Sequence, residues 1–189
     1  MEVGSLSLPE VRLITPRIFQ DERGRFLETW SDRRFADAGL PVTFRQDNLS
    51  ISTRGVLRGL HCQHPRGQGK LVMVVRGRVF DVVVDVRLGS PRFGKWAGVE
   101  LDDVYLKQLY IPPGFLHGFL ALTDDVVFAY KCTELYDAST EFSVRWDDPS
   151  IGIQWPVTAP LLSAKDSAAP FLPAVPQEQL PIYCPPAGM

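Results

Sequence analysis

The feature that most constrains the fold is a strict alternation at residues 79–86. Phe80, Val82, Val84 and Val86 fall on one side of an extended chain, with Asp81, Val83, Asp85 and Arg87 on the other. A period of two is that of a strand, whereas 3.6 residues per turn would mix the two sets. The run follows directly on Arg76-Gly77-Arg78, which closes another apolar stretch at 72–75. Runs at 44–48, 96–101, 106–111, 118–122, 126–132 and 144–146 are similar and are separated by glycine, proline and other turn residues. Only 31–38 reads as an early helix, with Ser31 as N-cap and Gly39 just past its end. Closely spaced short strands from about residue 43 to 147 predict an all-β sandwich or barrel with a few short peripheral helices.

The 189 residues suffice for one domain spanning 1–189 with a substantial core. Net charge is -2, so no global basic field points to nucleic acid or an anionic membrane, although a local cationic pocket remains open. No run approaches the roughly 20 apolar residues of a spanning helix. Met1 to Glu10 lacks a basic segment followed by an apolar one, so no secretory signal is expected. Cys62, Cys132 and Cys184 are odd in number and widely spaced, and read as reduced thiols of a cytoplasmic protein. Prolines 170, 173, 176, 181, 185 and 186 mark a tail, 173–189, expected to wrap the surface or fray without regular elements. Neither a GxGxxG fingerprint nor a Walker loop is present, so neither NAD nor ATP is indicated.

The chain has three histidines, His61, His64 and His117. Pro112-x-Gly114-x-x-His117 resembles the second motif of the cupin superfamily, whose fold is a jelly-roll barrel. The first cupin motif supplies two histidines one residue apart and a glutamate seven residues before a glycine. His61 takes the first place, but Gln63 stands in the second, and Lys70 lies seven residues before Gly77 where the glutamate belongs. An ammonium offers no lone pair and repels a cation, so a functional metal is disfavoured. A barrel interior holding His61, Lys70 and His117 instead offers a base near neutrality and a cation for an oxyanion. These are the minimum for removing a proton next to a carbonyl. His64, before Pro65 in a glycine-rich loop, reads as a turn residue. Cys62 adjoins His61, but strand neighbours face opposite sides, so it reads as packing.

A wider set of blocks resembles the dTDP-4-dehydrorhamnose 3,5-epimerases, from about Pro16 to Leu172. They are Phe19-x-Asp21-x-Arg23-Gly24-x-Phe26-x-Glu28, Gln46-Asp47-Asn48, Arg58-Gly59-Leu60-His61-x-Gln63 and Gln68-Gly69-Lys70. Then come Phe80-Asp81-Val82, Ile111-Pro112-x-Gly114-Phe115-x-His117-Gly118-Phe119 and Tyr130-Lys131. Trp146-x-Asp148-Pro149, Ile151-Gly152-Ile153 and Leu162-Ser163-Ala164-Lys165-Asp166 complete the set. The resemblance implies a cofactor-independent isomerase that inverts C3 and C5 of dTDP-4-keto-6-deoxy-glucose on the route to dTDP-L-rhamnose. It assigns His61 with Asp166 as the base, Tyr130 as the acid, Lys70 to the C4 oxyanion and His117 to support. Without it, Tyr130 reads as a wall aromatic and Asp166 as a helix cap.

The resemblance further implies that Arg23 and Arg58 contact the diphosphate. Phe19, Phe26 and Tyr136 are candidates to stack on or line the base, and Glu28, Gln46 and Asn48 to meet its polar edges. In this family the N-terminal segment reaches a neighbouring subunit, so Phe19, Arg23, Phe26 and Glu28 are expected to act across a homodimer. Leu135 and Cys62 each replace an aromatic usual in the family. Competing readings are a single-site C3 or C5 epimerase, a metal-dependent cupin oxygenase, and a catalytically silent sugar-nucleotide binder.

Overall fold

The computed structural model of the chain describes residues 1–41 and 43–185. The N-terminal part supplies β1 (Glu2–Ser5), β2 (Arg12–Thr15), a hairpin of β3 (Ile18–Asp21) and β4 (Gly24–Leu27), and helix α1 (Asp32–Asp37). Next come β5 (Gln46–Ser52), β6 (Leu57–Gln63), β7 (Lys70–Arg76) and β8 (Arg78–Asp85). The strands end with β9 (Trp96–Asp102), β10 (Gln108–Ile111), β11 (Phe115–Ala121), β12 (Val126–Cys132) and β13 (Glu141–Ser143). Helix α2 (Ala164–Ser167) and two 3-10 turns, Leu172–Ala174 and Gln177–Gln179, follow.

Two antiparallel sheets face each other as a jelly roll, in the strand orders β1-β2-β10-β7-β12-β5 and β13-β6-β11-β8-β9. The space between them is filled by one apolar cluster, including Val72, Val74, Val83, Leu109, Phe119 and Phe128. Phe119 and Phe128 stack with ring centroids 4.2 Å apart. Burying one such ring contributes about 1.5–3 kcal/mol.

The alternation in β8 is present, but its apolar side points away from the interior. Phe80, Val82, Val84 and Val86 pack under the C-terminal segment, against Phe142, Val144, Leu172, Val175 and Leu180. The other side puts Val83 into the core between the sheets and Asp81 opposite His117. Cys62 packs in the same outer cluster as Val82, as strand geometry predicts for a neighbour of His61.

Several boundaries differ from the sequence expectation. Strand β5 runs from Gln46 to Ser52 instead of 44–48. Its apolar Leu49 and Ile51 are exposed, while Asn48 and Ser50 turn inward. Leu106 adopts φ 51°, so the turn before β10 holds the strand back to Gln108. Residues 144–146 are not a strand, although Val144 exchanges backbone hydrogen bonds with Leu60. The proline-rich segment is more ordered than expected. Pro173 lies in the first turn of a 3-10 helix, where a missing N–H costs nothing, and Leu172, Val175 and Leu180 are buried. Pro186 and the rest of the tail to residue 189 lie outside the described residues.

Candidate active site

Two glycines set the spacing of the strands that carry the histidines. In the β6–β11 pair His61 lies directly opposite His117, and the register shifts just beyond, between His117 and Phe119. Gly59 has φ 120°, and a β-carbon there would stand 2.5 Å from the Gly118 Cα. Only glycine permits this approach. From this pair β6 directs Arg58 and His61, and β11 directs His117, into a cavity of about 480 Å³. Across the cavity the facing sheet supplies Lys70 from the start of β7 and Tyr130 from β12. The structure therefore brings together His61, Asp166, Lys70, Tyr130, His117 and Arg58.

Asp166 arrives from α2. Ser163 caps this short helix by accepting from the Asp166 backbone N–H at 3.0 Å. The Asp166 carboxylate is thus free to meet His61 Nε2 at 2.6 Å, where it is only 3% exposed. Burial pushes this carboxyl up, but hydrogen bonds from His61, Ser163 and Gly59 and the charge of His61 more than offset it, leaving it below its usual range. With Nε2–H donated to Asp166, the lone pair of the neutral ring lies on Nδ1.

A second pair backs the cavity. His117 Nε2 lies 2.9 Å from the fully buried Asp81, whose carboxyl burial pushes up against the opposing pull of His117 and Lys70. Burial likewise raises the Tyr130 phenol, with the neighbouring Cys132 adding to the effect and Arg58 opposing it, so this phenol stays protonated near neutrality. Lys70 forms no salt bridge within 4.0 Å among the described residues and faces the cavity as an available cation. Gln63, in the slot of a second cupin histidine, serves as a strut. It donates to the carbonyls of Arg66 and Leu135 and accepts from the Asp137 N–H at 3.0 Å. Among the described residues no three His, Cys, Asp or Glu side chains converge as a metal-binding group.

The nucleotide candidates divide into two places. Arg58 is steered at the mouth by Ser52 Oγ at 3.1 Å and the Ile51 carbonyl. Gln46 donates to Asn48 Oδ1 at 2.9 Å and accepts from the Tyr136 N–H at 2.8 Å, forming a rim. Phe19, Arg23 and Phe26 instead stand on the β3–β4 hairpin and line a separate, open surface. Phe26 is 70% exposed, Arg23 pairs only with Asp21 among the described residues, and Glu28 pairs with Arg34 at 3.3 Å. Within this chain these four do not join the cavity.

Sequence reasoning gave no individual role to three residues near the base. Asp81 was legible as an acid among the valines of β8. Glu141 and Lys165 carry no such signal, because only the tertiary fold brings β13 and α2 together beside His61.

The model of the dTDP-4-dehydrorhamnose 3,5-epimerase family matches residues 5–174. A dTDP-4-dehydrorhamnose 3,5-epimerase of Shigella flexneri is 51% identical over 168 residues, covering 88% of this chain and 93% of the relative. A dTDP-4-dehydrorhamnose 3-epimerase of Streptomyces niveus is 45% identical, over 90% of this chain and 87% of its own length. Among solved structures, a dTDP-6-deoxy-D-glucose-3,5-epimerase of Legionella pneumophila in complex with dTDP-4-keto-L-rhamnose superposes with a TM-score of 0.94 at 46% identity, covering 97% of this chain and 98% of that one. With two facing sheets, a paired His61 and a match to the family model over residues 5–174, the chain belongs to the dTDP-4-dehydrorhamnose 3,5-epimerase family.

Proposed function

We propose that this chain, as one catalytic domain, inverts C3 and C5 of dTDP-4-keto-6-deoxy-D-glucose in dTDP-L-rhamnose biosynthesis. The observation that carries the reading is the placement of an oriented base and a protonated phenol on opposite walls of one cavity. His61, fixed by Asp166 at 2.6 Å, projects from one sheet, and Tyr130 projects from the other. His61 Nδ1 takes the proton from the carbon next to the C4 ketone. Lys70, which lines the same cavity, stabilises the enolate oxygen as a nearby cation. Tyr130 returns a proton to the opposite face of the ring, which inverts the centre. His117, held by Asp81, supports the same wall.

Arg58 meets the diphosphate, while Gln46, Asn48 and Tyr136 border the nucleoside. Phe19, Arg23, Phe26 and Glu28 serve the neighbouring subunit of a homodimer. Their exposure on a projecting hairpin, and the exposed Leu49 and Ile51 on an edge strand, support that reading. The protein acts without a cofactor in the cytoplasm, where its three free thiols stay reduced. A single-site epimerase is the second reading, favoured by the likeness to the Streptomyces 3-epimerase. A metal-dependent oxygenase is disfavoured by Lys70, a cation in the same cavity as both histidines.

The test is incubation with dTDP-4-keto-6-deoxy-glucose in deuterated water without added metal. Deuterium is expected at both C3 and C5. Exchange at one carbon alone selects the single-site enzyme, and exchange at neither overturns the epimerase reading.

A further inference from the structure

A base and an acid that act once are both left in the wrong state. After the first inversion His61 holds the substrate's proton on Nδ1 and Tyr130 is a phenolate. A second inversion, on the reading proposed above, needs neutral His61 and protonated Tyr130 again. The reset happens while the sugar still covers the cavity. Nε2 offers no way out, because its partner Asp166 is almost wholly buried.

Nδ1 has a second carboxylate nearby, beyond hydrogen-bond distance. Glu141 Oε1 lies 3.9 Å from it, and the Glu141 side chain is only 15% exposed. The other oxygen, Oε2, accepts the Tyr136 hydroxyl at 3.0 Å and the Lys165 ammonium. Tyr136 is 53% exposed and the Lys165 side chain 51%. One carboxylate thus links the half-buried base to solvent-facing groups. Its place is fixed by the sheet, since β13 pairs with β6 so that Ser143 stands opposite His61 and Glu141 opposite Gln63.

We propose that Glu141 is the proton exit of His61, resetting the base between the two inversions. The Nδ1–H bond breaks as an Oε1–H bond forms, leaving neutral imidazole and a carboxylic acid. The acid then gives its proton to water at the rim and returns to carboxylate, while the Tyr130 phenolate takes a proton from water, so one proton leaves and one enters for each inversion. The transfer requires Glu141 Oε1 to close from 3.9 Å to hydrogen-bond distance of Nδ1. Burial pushes the Glu141 carboxyl up, but Lys165, His61 and Tyr136 more than offset this, so the group rests as an anion and holds a proton only briefly before releasing it. Glu141 acts through His61 and not on the substrate, which makes it a positioning residue for the proton.

The test uses Glu141→Gln, which keeps the shape but cannot carry the proton, and Glu141→Ala, which leaves room for a small acid. Both are assayed for completed double inversion, with formate or chloride added at constant pH and ionic strength. Glu141→Gln is expected to lose about 10–100-fold in kcat, with KM changed less than about threefold. Formate, but not chloride, is expected to restore much of the loss in Glu141→Ala and to leave the wild type unchanged. Wild-type kcat in Glu141→Gln, a loss confined to KM, or a folded Glu141→Ala that formate does not restore would each overturn the proposal. If Glu141→Ala does not fold, the kcat–KM split of Glu141→Gln decides. Absence of exchange by the wild-type protein itself would signal failure of the epimerase reading, not of the relay.

Discussion

A histidine is a usable base only when something decides which nitrogen holds its proton. In the proposed mechanism that decision rests, for His61, with Asp166, 2.6 Å from Nε2. The same carboxylate links the site to stability. Asp166 and Glu141 both titrate below their ordinary values of 3.8 and 4.5. As pH falls, the unfolded chain takes up these protons before the folded one does. The stability they contribute is therefore complete above about pH 5 and is lost as pH drops through the lowered folded-state values. Melting midpoints are expected to place Asp166→Asn below wild type at neutral pH, with the gap shrinking below about pH 4. A gap that stays constant or widens in acid would contradict this linkage. At this scale the sequence was unevenly informative. Lys70 could be read from its distance to Gly77, because local spacing survives folding. Asp166, 105 residues from His61, could be assigned only through family resemblance, since no local pattern records so distant a contact.

Strands carry these residues, and their polarity explains which of them were visible. In β8 the alternation is strong because one side is covered by the C-terminal segment and the other faces the second sheet. Strand β5 was misplaced because its inward face is polar, as a cavity wall requires, while Leu49 and Ile51 point outward. Strand β6 was not delimited as an element, although His61 and Cys62 were read as neighbours on a strand. Gly59, His61 and Gln63 interrupt any apolar period there, although they are the reason the strand matters. Gly59→Ala tests the close approach of β6 to β11. The added methyl would meet the Gly118 Cα and the His117 carbonyl, at a backbone angle disfavoured for alanine. The expected cost is about 2–4 kcal/mol, read from denaturant unfolding, together with loss of epimerisation. A variant of unchanged stability would show that the strands can separate freely at this point.

On the proposed mechanism the whole molecule divides the work between its two sheets, and on the homodimer reading between two chains. The cavity holds Arg58 but none of the hairpin residues of its own chain. If Arg23 serves the neighbouring subunit, mixing His61→Ala with Arg23→Ala subunits is expected to regain activity, because one site in each mixed dimer has both residues intact. Mixtures no more active than the separate variants would place Arg23 outside the site. The division between sheets is the more basic claim, because inversion needs proton removal and delivery on opposite faces of one ring. It is tested most directly by following C3–H and C5–H exchange and product configuration together in deuterated water, for His61→Ala and Tyr130→Phe. The account predicts no exchange in His61→Ala, and in Tyr130→Phe continued exchange with little inverted product. Near-normal exchange in His61→Ala, or full inversion in Tyr130→Phe, would contradict it.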